Sequence, residues 1–537
     1  MKIKAVLCIM LVVLLVFCIS CRRSSNDTDT DTGKDPSSDS VIDTGAGTDT
    51  DTNTDSNTDT DTDTDTDRDT DTDIDTDTDI DTDTDTDTSA DTDTSADTDT
   101  DKEPEPAPII PNHVPVTLFE NGKSDYTIVY PKDNFIIEAQ VIQLVKHIKD
   151  TYNVEIPYKA VNGNSDLGDK EIIIGFSRSV VFETASKIRS MTDFVLDVYD
   201  NDYVIYATTD ALYSYALRVF KDDILTKAKD GTITISPEDT FVLEKSQYKD
   251  MSLGDYIKAE ANATSYNQDL LCQLFMDMSF TATDNTTLPY RLYLPSNYNA
   301  NLKYPVIVFL HGAGERGNNN YSHMNNMVPN MFNQANSNLI ENAIVICPQC
   351  PGGNQWVDWN WENGNYSIES VPESNELKAV VELLEKIKGS LSTDNDRYYA
   401  MGISMGGFGT WDLIMRHTEL FAAAVPVCGG ADVSQAESLK NMPIFTAHAS
   451  NDWSVPYAGT EAMVKALRDA GSNSVIFKCH ADGTLSSGGH IIWGEIGDDP
   501  EMLKWLFEQR KGKVVDDNEL PAMPAVGGND TEPTPRN

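Results

Sequence analysis

The chain has 537 residues and a formal net charge of −47, a length that suggests two to four domains. No basic stripe is present to neutralise phosphates, so nucleic acid is excluded as a partner. Over half of the net charge sits in one low-complexity stretch: between Asp27 and Asp101, 29 aspartates face only Lys34 and Arg68.

Lys2 and Lys4 precede an apolar run from Ala5 to Ile19, too short to span a bilayer comfortably but suited to a secretory h-region. Ser20-Cys21-Arg22-Arg23 comes next. The segment resembles a bacterial lipoprotein signal, which implies a signal over residues 1–21 and lipidation of Cys21, although Cys18 stands where that pattern usually has Leu. The alternative is cleavage by ordinary signal peptidase, giving a freely secreted protein. Either route places the chain outside the cytoplasm, with any membrane contact made only through an N-terminal lipid.

Residues 22–115 read as an acidic linker. Asp-Thr repeats have little to bury and repel one another, so this stretch is expected to be disordered and extended. As a coil, ~75 residues average about 50 Å end to end, and charge lengthens that. D-x-D-x-D suits calcium in outline, but the turn glycine and closing Glu of an EF-hand are missing. Five cysteines remain beyond the leader: Cys272, Cys347, Cys350, Cys428 and Cys479. Their odd number implies at least one free thiol. Cys347 and Cys350 form C-P-Q-C without a second pair, a poor zinc signature, and strand-end packing or one local disulfide is expected instead. No metal or cofactor is expected.

Residues 116–246 alternate in period. YTIVY, IPYKAV and KEIIIGF read as strands, and DFVLDVYD and YVIYATT as strands on either side of a turn at Asn201-Asp202. IIEAQVIQLVKHIKDTY and ALYSYALRVFKDDIL have helical spacing. The expectation is a small α+β domain. In YTIVYP and EIIIGF it resembles the non-catalytic domain ahead of the barrel in chitobiase-type and α-glucuronidase-type glycoside hydrolases. That resemblance implies a structural appendage or a sugar-binding role.

Residues 269–511 change pattern. PVIVFLHG, AIVICPQ, RYYAMGIS, AAAVPVCGG, MPIFTAHAS and SVIFKCH are apolar strand runs. Between them lie the helical stretches NELKAVVELLEKIKG, GGFGTWDLIMRHT and GTEAMVKALRDAG. This implies a mostly parallel, doubly wound α/β sheet with functional groups at the carboxyl ends of its strands. Residues 512–537, rich in Pro, Gly and Asp, read as a disordered tail.

G-I-S-M-G, residues 402–406, falls between a strand and a helix. That context makes Ser404 a candidate nucleophile on a tight elbow, with Gly402 and Gly406 giving room and Gly407 close helix packing. A serine hydroxyl needs a base and an orienting carboxylate. Asp452 in NDWSVP is the preferred acid over Asp432, because it follows the penultimate strand. His490 in SSGGHIIW is the preferred base over His480, which lies in the strand end itself. LHGAGERG follows its strand directly, and the N–H groups of Ala313 and Met405 are assigned to an oxyanion hole. There His311 braces the loop, and Glu315 and Arg316 are candidates for a local pair.

With these four parts in order, residues 269–511 resemble the α/β-hydrolase group of secreted feruloyl and acetyl-xylan esterases, polyhydroxybutyrate depolymerases and predicted peptidases of the prolyl oligopeptidase clan. LHGAGERG, GISMGGFGTWDL, FAAAVPVCGG, NDWSVP and GGHIIW carry the likeness. Ile491-Ile492 departs from it, since a polar residue is expected there, and that departure bears on the pocket floor. The resemblance implies a fold of the α/β-hydrolase type and a Ser-Asp-His serine hydrolase. Its expected substrate is an acylated polysaccharide or small ester, with a peptidase, a polyester depolymerase and an idle binding lipoprotein as competing readings. Trp453, Trp493 and Trp356, in predicted loops at the strand ends, are candidate substrate-binding residues, as aromatic faces suit sugar or feruloyl rings.

Overall fold

The computed structural model describes residues 114–163, 166–175, 194–236, 241–242, 252–333, 337–481 and 489–512. The signal, Cys21, most of the acidic linker and the tail lie outside them. Among the described residues no helix is long and apolar enough to cross a membrane.

The first region builds a six-stranded sheet of order β3-β2-β4-β6-β5-β8. Its strands are β2 (Thr127–Pro131), β3 (Tyr158–Val161), β4 (Glu171–Ile174), β5 (Phe194–Tyr199), β6 (Asp202–Ala207) and β8 (Phe241–Val242). A separate antiparallel pair joins β1 (Val116–Phe119) to β7 (Ile233–Ile235). Helix α1 (Phe135–Tyr152) is capped by the Asn134 side chain and buries Ile137, Val141, Leu144 and Ile148 at helical spacing. It carries the chain back across the sheet, so β2 pairs parallel with both β3 and β4. The expected strand pair at Asn201-Asp202 is the antiparallel hairpin β5–β6, with Asp200 at φ 49° in its turn. Helix α2 (Asp210–Val219) follows, capped by Thr209.

The second region is an eight-stranded sheet of order β16-β15-β14-β13-β11-β12-β10-β9. The six predicted strands are β11 (Tyr304–Leu310), β12 (Ile344–Pro348), β13 (Thr393–Ile403), β14 (Ala423–Val427), β15 (Ile444–Ala449) and β16 (Val475–His480), all parallel. Two strands not singled out from sequence, β9 (Met276–Thr281) and β10 (Thr287–Tyr293), form an antiparallel hairpin at one edge. β9 is only partly buried, so it lacks the continuous apolar run that marks the inner strands. Helices α3 (Asn375–Ser390), α4 (Met405–Arg416) and α5 (Tyr457–Asp469) lie where the helical spacing puts them, and α6 (Pro500–Glu508) closes the region.

The two regions share one continuous buried core. Gln140 and Gln143 on α1 donate to the Asp277 carbonyl on β9 at 2.6 and 2.9 Å. The first region therefore sits on an edge strand whose backbone groups are otherwise open to pairing.

Register decides what meets at the carboxyl ends. Leu310 pairs with Gly402, Ile403 with Val427, Val427 with Ala447, and Ala449 with His480. The loops after β11, β13, β14 and β15 therefore leave the sheet side by side.

Candidate active site

Ser404 is the single residue between β13 and α4, and its backbone sits at φ 54°, ψ −118°. That left-handed conformation is strained for a residue with a side chain and is characteristic of functional turns. Its N–H donates to the Val427 carbonyl at 2.9 Å, which fixes the turn to β14. The space around it is closed. A Cβ on Gly402 would lie 2.3 Å from the Gly406 carbonyl oxygen, and one on Gly406 would lie 1.9 Å from the Leu310 oxygen. Both contacts are with backbone, which cannot move aside. Gly406→Ala is expected to cost about 3 kcal/mol of stability or more, read as a lowered denaturation midpoint or loss of soluble protein.

His490 and Asp452 converge on Ser404 from separate loops. Ser404 Oγ lies 2.9 Å from His490 Nε2, and His490 Nδ1 lies 2.8 Å from Asp452 Oδ2. Asp452 Oδ1 accepts the backbone N–H groups of Ser454 and Val455 at 2.8 and 2.9 Å, which fixes its plane. Burial opposes its ionisation. Hydrogen bonds from His448, His490 and the Val455 N–H outweigh that and hold the carboxyl well below the usual carboxylate range. Gly489 lets the chain bearing His490 lie on this loop, since a Cβ there would sit 2.3 Å from Asn451 Oδ1. Cys428, at φ 51° after β14, directs its thiol at the His490 carbonyl, 3.7 Å away.

The rivals take other work. Asp432 accepts from Ser434 N–H and Ile368 N–H, bracing a loop, and His480 Nδ1 faces Glu495 at 3.7 Å.

The loop after β11 lies against Ser404: a Cβ on Gly312 would stand 3.6 Å from Ser404 Cβ. Ala313 opens a 3₁₀ turn and Met405 opens α4, so both N–H groups belong to first turns without intrahelical acceptors. His311 braces the loop as its sequence position suggested. Its Nε2 accepts the Cys350 N–H at 2.9 Å, so Nδ1 carries the proton and donates to the Gly312 carbonyl at 2.7 Å. Glu315 and Arg316 serve different partners: Arg316 donates to the Ala313 and Asn354 carbonyls, while Glu315 accepts from Asn326.

His311 gives the site a pH liability. Burial lowers its pKa to about 4 and holds nearby His323 well below its ordinary value. In the unfolded chain both imidazoles gain protons below about pH 6.5. The unfolded state then binds more protons, so stability that is full above pH 6.5 is lost as pH falls towards 4. For His311 alone the loss is roughly 3 kcal/mol, and urea midpoints measured from pH 7 to pH 4 should fall accordingly.

The tryptophans separate sharply. Trp453 is 70% exposed, with its ring centroid 5.4 Å from that of His490. Trp493, half-buried, meets the same imidazole edge-on, with ring centroids 5.4 Å apart at 88°. Trp356 corrects the expectation: it is 0% exposed, and its Nε1 donates to the His311 carbonyl at 3.0 Å. Its side chain packs on Gly409, which makes it a core residue that supports the loop after β11. Ile491 points to solvent and Ile492 into the core, so neither residue of that pair replaces a polar group in a buried floor. Cys347 and Cys350 are both buried, free thiols, consistent with strand-end packing and not with a local disulfide.

One residue of the site was read only as strand. His448, four positions before Asp452 on β15, lies 3.0 Å from Asp452 Oδ2. The spacing H-x-x-x-D at a strand end was the available signal.

A parallel sheet that lifts a serine on a strained elbow beneath a histidine and a buried carboxylate defines the α/β-hydrolase class. Residues 281–511 match the family described as "Putative esterase". The chain is 25% identical over 178 residues to a bifunctional acetylxylan esterase/xylanase of Neocallimastix patriciarum, covering 33% of this chain and 23% of that one. It thus spans less than a quarter of that curated relative's length. A solved thermostable esterase is 34% identical, with 45% of this chain and 64% of the other covered and a TM-score of 0.42. A mutant feruloyl esterase module from Clostridium thermocellum, complexed with sinapinate, is 18% identical over 44% of this chain and 88% of its own, with a TM-score of 0.34.

Proposed function

We propose that this protein is a secreted serine carboxylic-ester hydrolase that removes acetyl or feruloyl groups from plant cell-wall polysaccharide through an acyl-enzyme. The observation that carries the reading is the unbroken run from Ser404 Oγ through His490 to Asp452, at 2.9 and 2.8 Å. Asp452 accepts the Nδ1–H of His490, which leaves the Nε2 lone pair facing Ser404. Nε2 takes the hydroxyl proton as Oγ bonds to the ester carbonyl carbon. The carbonyl oxygen becomes negative and is received by the Ala313 and Met405 N–H groups, each worth ~3 kcal/mol. Collapse breaks the bond to the alcohol oxygen, to which His490 returns the proton. Water then repeats the sequence: His490 takes its proton, hydroxide attacks the acyl carbon, and Ser404 leaves with its proton restored.

Several features support the substrate class. The acetylxylan esterase relative favours acylated xylan. Trp453 offers an exposed aromatic face beside the imidazole that protonates the leaving alcohol, a place suited to a sugar ring. A lipid on Cys21 followed by a long acidic spacer suits an enzyme that reaches insoluble polymer from a cell surface. The test is to assay the full chain on p-nitrophenyl acetate, methyl ferulate and a peptide p-nitroanilide. Ester cleavage without amide cleavage is the expected result. Amide cleavage alone, or no cleavage of any of the three, sinks the reading.

A further inference from the structure

His448 lies outside the Ser404-His490-Asp452 run, yet it is fully buried against it. Its Nε2 has two neighbours within hydrogen-bonding distance, Asp452 Oδ2 at 3.0 Å and the Val455 carbonyl at 3.2 Å. Both are acceptors, so Nε2 carries a proton. The other nitrogen, Nδ1, meets the Thr460 hydroxyl at 2.7 Å, and Thr460 Oγ1 lies 2.8 Å from the Gly429 carbonyl. The ring is also held edge-on by Tyr457, with centroids 5.7 Å apart at 79°. The titratable groups around His448 are therefore Asp452, Cys428 after β14 and Tyr457 on α5, with His490 across the carboxylate.

We propose that His448 is a positioning residue for the reaction: its Nε2–H shares Asp452 Oδ2 with His490, locking the plane of the acid and dividing its charge between two imidazoles. This rests on the serine-hydrolase reading above. With Ser454 and Val455 on Oδ1 and two ring N–H groups on Oδ2, every face of the carboxylate is engaged, so it cannot turn without breaking several bonds at once. The division of charge has a kinetic consequence. Without His448 the whole carboxylate charge acts on His490, which keeps a proton more firmly and serves as base only at higher pH.

The test compares His448→Leu with His448→Gln in the full chain, on p-nitrophenyl acetate, with labelling by a fluorophosphonate run in parallel. Leu removes the donor; the Gln amide can present an N–H near the place of Nε2. His448→Leu is expected to lower kcat about tenfold or more with KM unchanged, and to move the acid limb of kcat/KM to higher pH. His448→Gln should restore most of the rate and the original limb. A Leu variant with unaltered kcat and pH profile overturns the proposal, as does a folded Gln variant as impaired as Leu. If the Leu variant does not fold, nitrogen NMR on the unsubstituted protein decides: a protonated His448 Nε2 at neutral pH is required, and an unprotonated one overturns it. Failure of the unsubstituted protein to cleave the ester or take the fluorophosphonate would instead strike the serine-hydrolase reading itself.

Discussion

Ser404→Ala should lower kcat by about six orders of magnitude while leaving the fold intact. The side chain contributes to no helix cap, and its hydroxyl meets His490, so its removal takes away the nucleophile and little structure. The strained φ of 54° is a backbone property that alanine inherits with the same Cβ. Residual turnover should stay about 10³–10⁴ above water, since the oxyanion donors and substrate contacts persist. The measurement is kcat on p-nitrophenyl acetate beside a thermal melt. An active variant would dismiss the elbow assignment, and an inactive variant with a collapsed melt would leave the loss to unfolding.

Asp452→Asn should be nearly as damaging, by about 10⁴ in kcat, for a reason the hydrogen bonds make specific. Each carboxylate oxygen accepts from two donors: Ser454 and Val455 N–H on Oδ1, His448 and His490 rings on Oδ2. An amide has one accepting oxygen. If that oxygen keeps the backbone pair, its NH₂ confronts His490 Nδ1, which must then present a bare nitrogen. The proton moves to Nε2, and the ring can no longer take one from Ser404. If the amide turns over, the NH₂ meets two backbone N–H groups, leaving buried donors unsatisfied at about 1–3 kcal/mol each. The variant should bind substrate with near-normal KM and stay slow across the neutral range, because the amide holds the ring in the wrong tautomer. A kcat within tenfold of the original would refute the assignment of Asp452 as the acid.

Much of this was legible because local patterns carry it. Continuous apolar runs gave the six parallel strands, and glycines flanking Ser404 between strand and helix gave the elbow, because only small residues fit where Gly406 meets the Leu310 backbone. Chain order separated Asp452 from Asp432. The β9–β10 hairpin escaped because an edge strand with one open face has a weak apolar signal.

The class of fold, and which serine, histidine and aspartate come together, were readable from the chain alone, since each depends on residues adjacent in the chain or on period. Which side chains share a wall is settled by the packing of the sheet and its loops. Trp356 and Trp453 look alike as loop tryptophans, but one is sealed beneath the His311 loop and the other stands open beside His490. His448 reads as one more strand residue until β15 turns into the Asp452 loop and brings its ring onto the carboxylate. Burial and partnership are properties of chain crossings, set by the register of β11 through β16, and a local spacing such as H-x-x-x-D carries only a fragment of them.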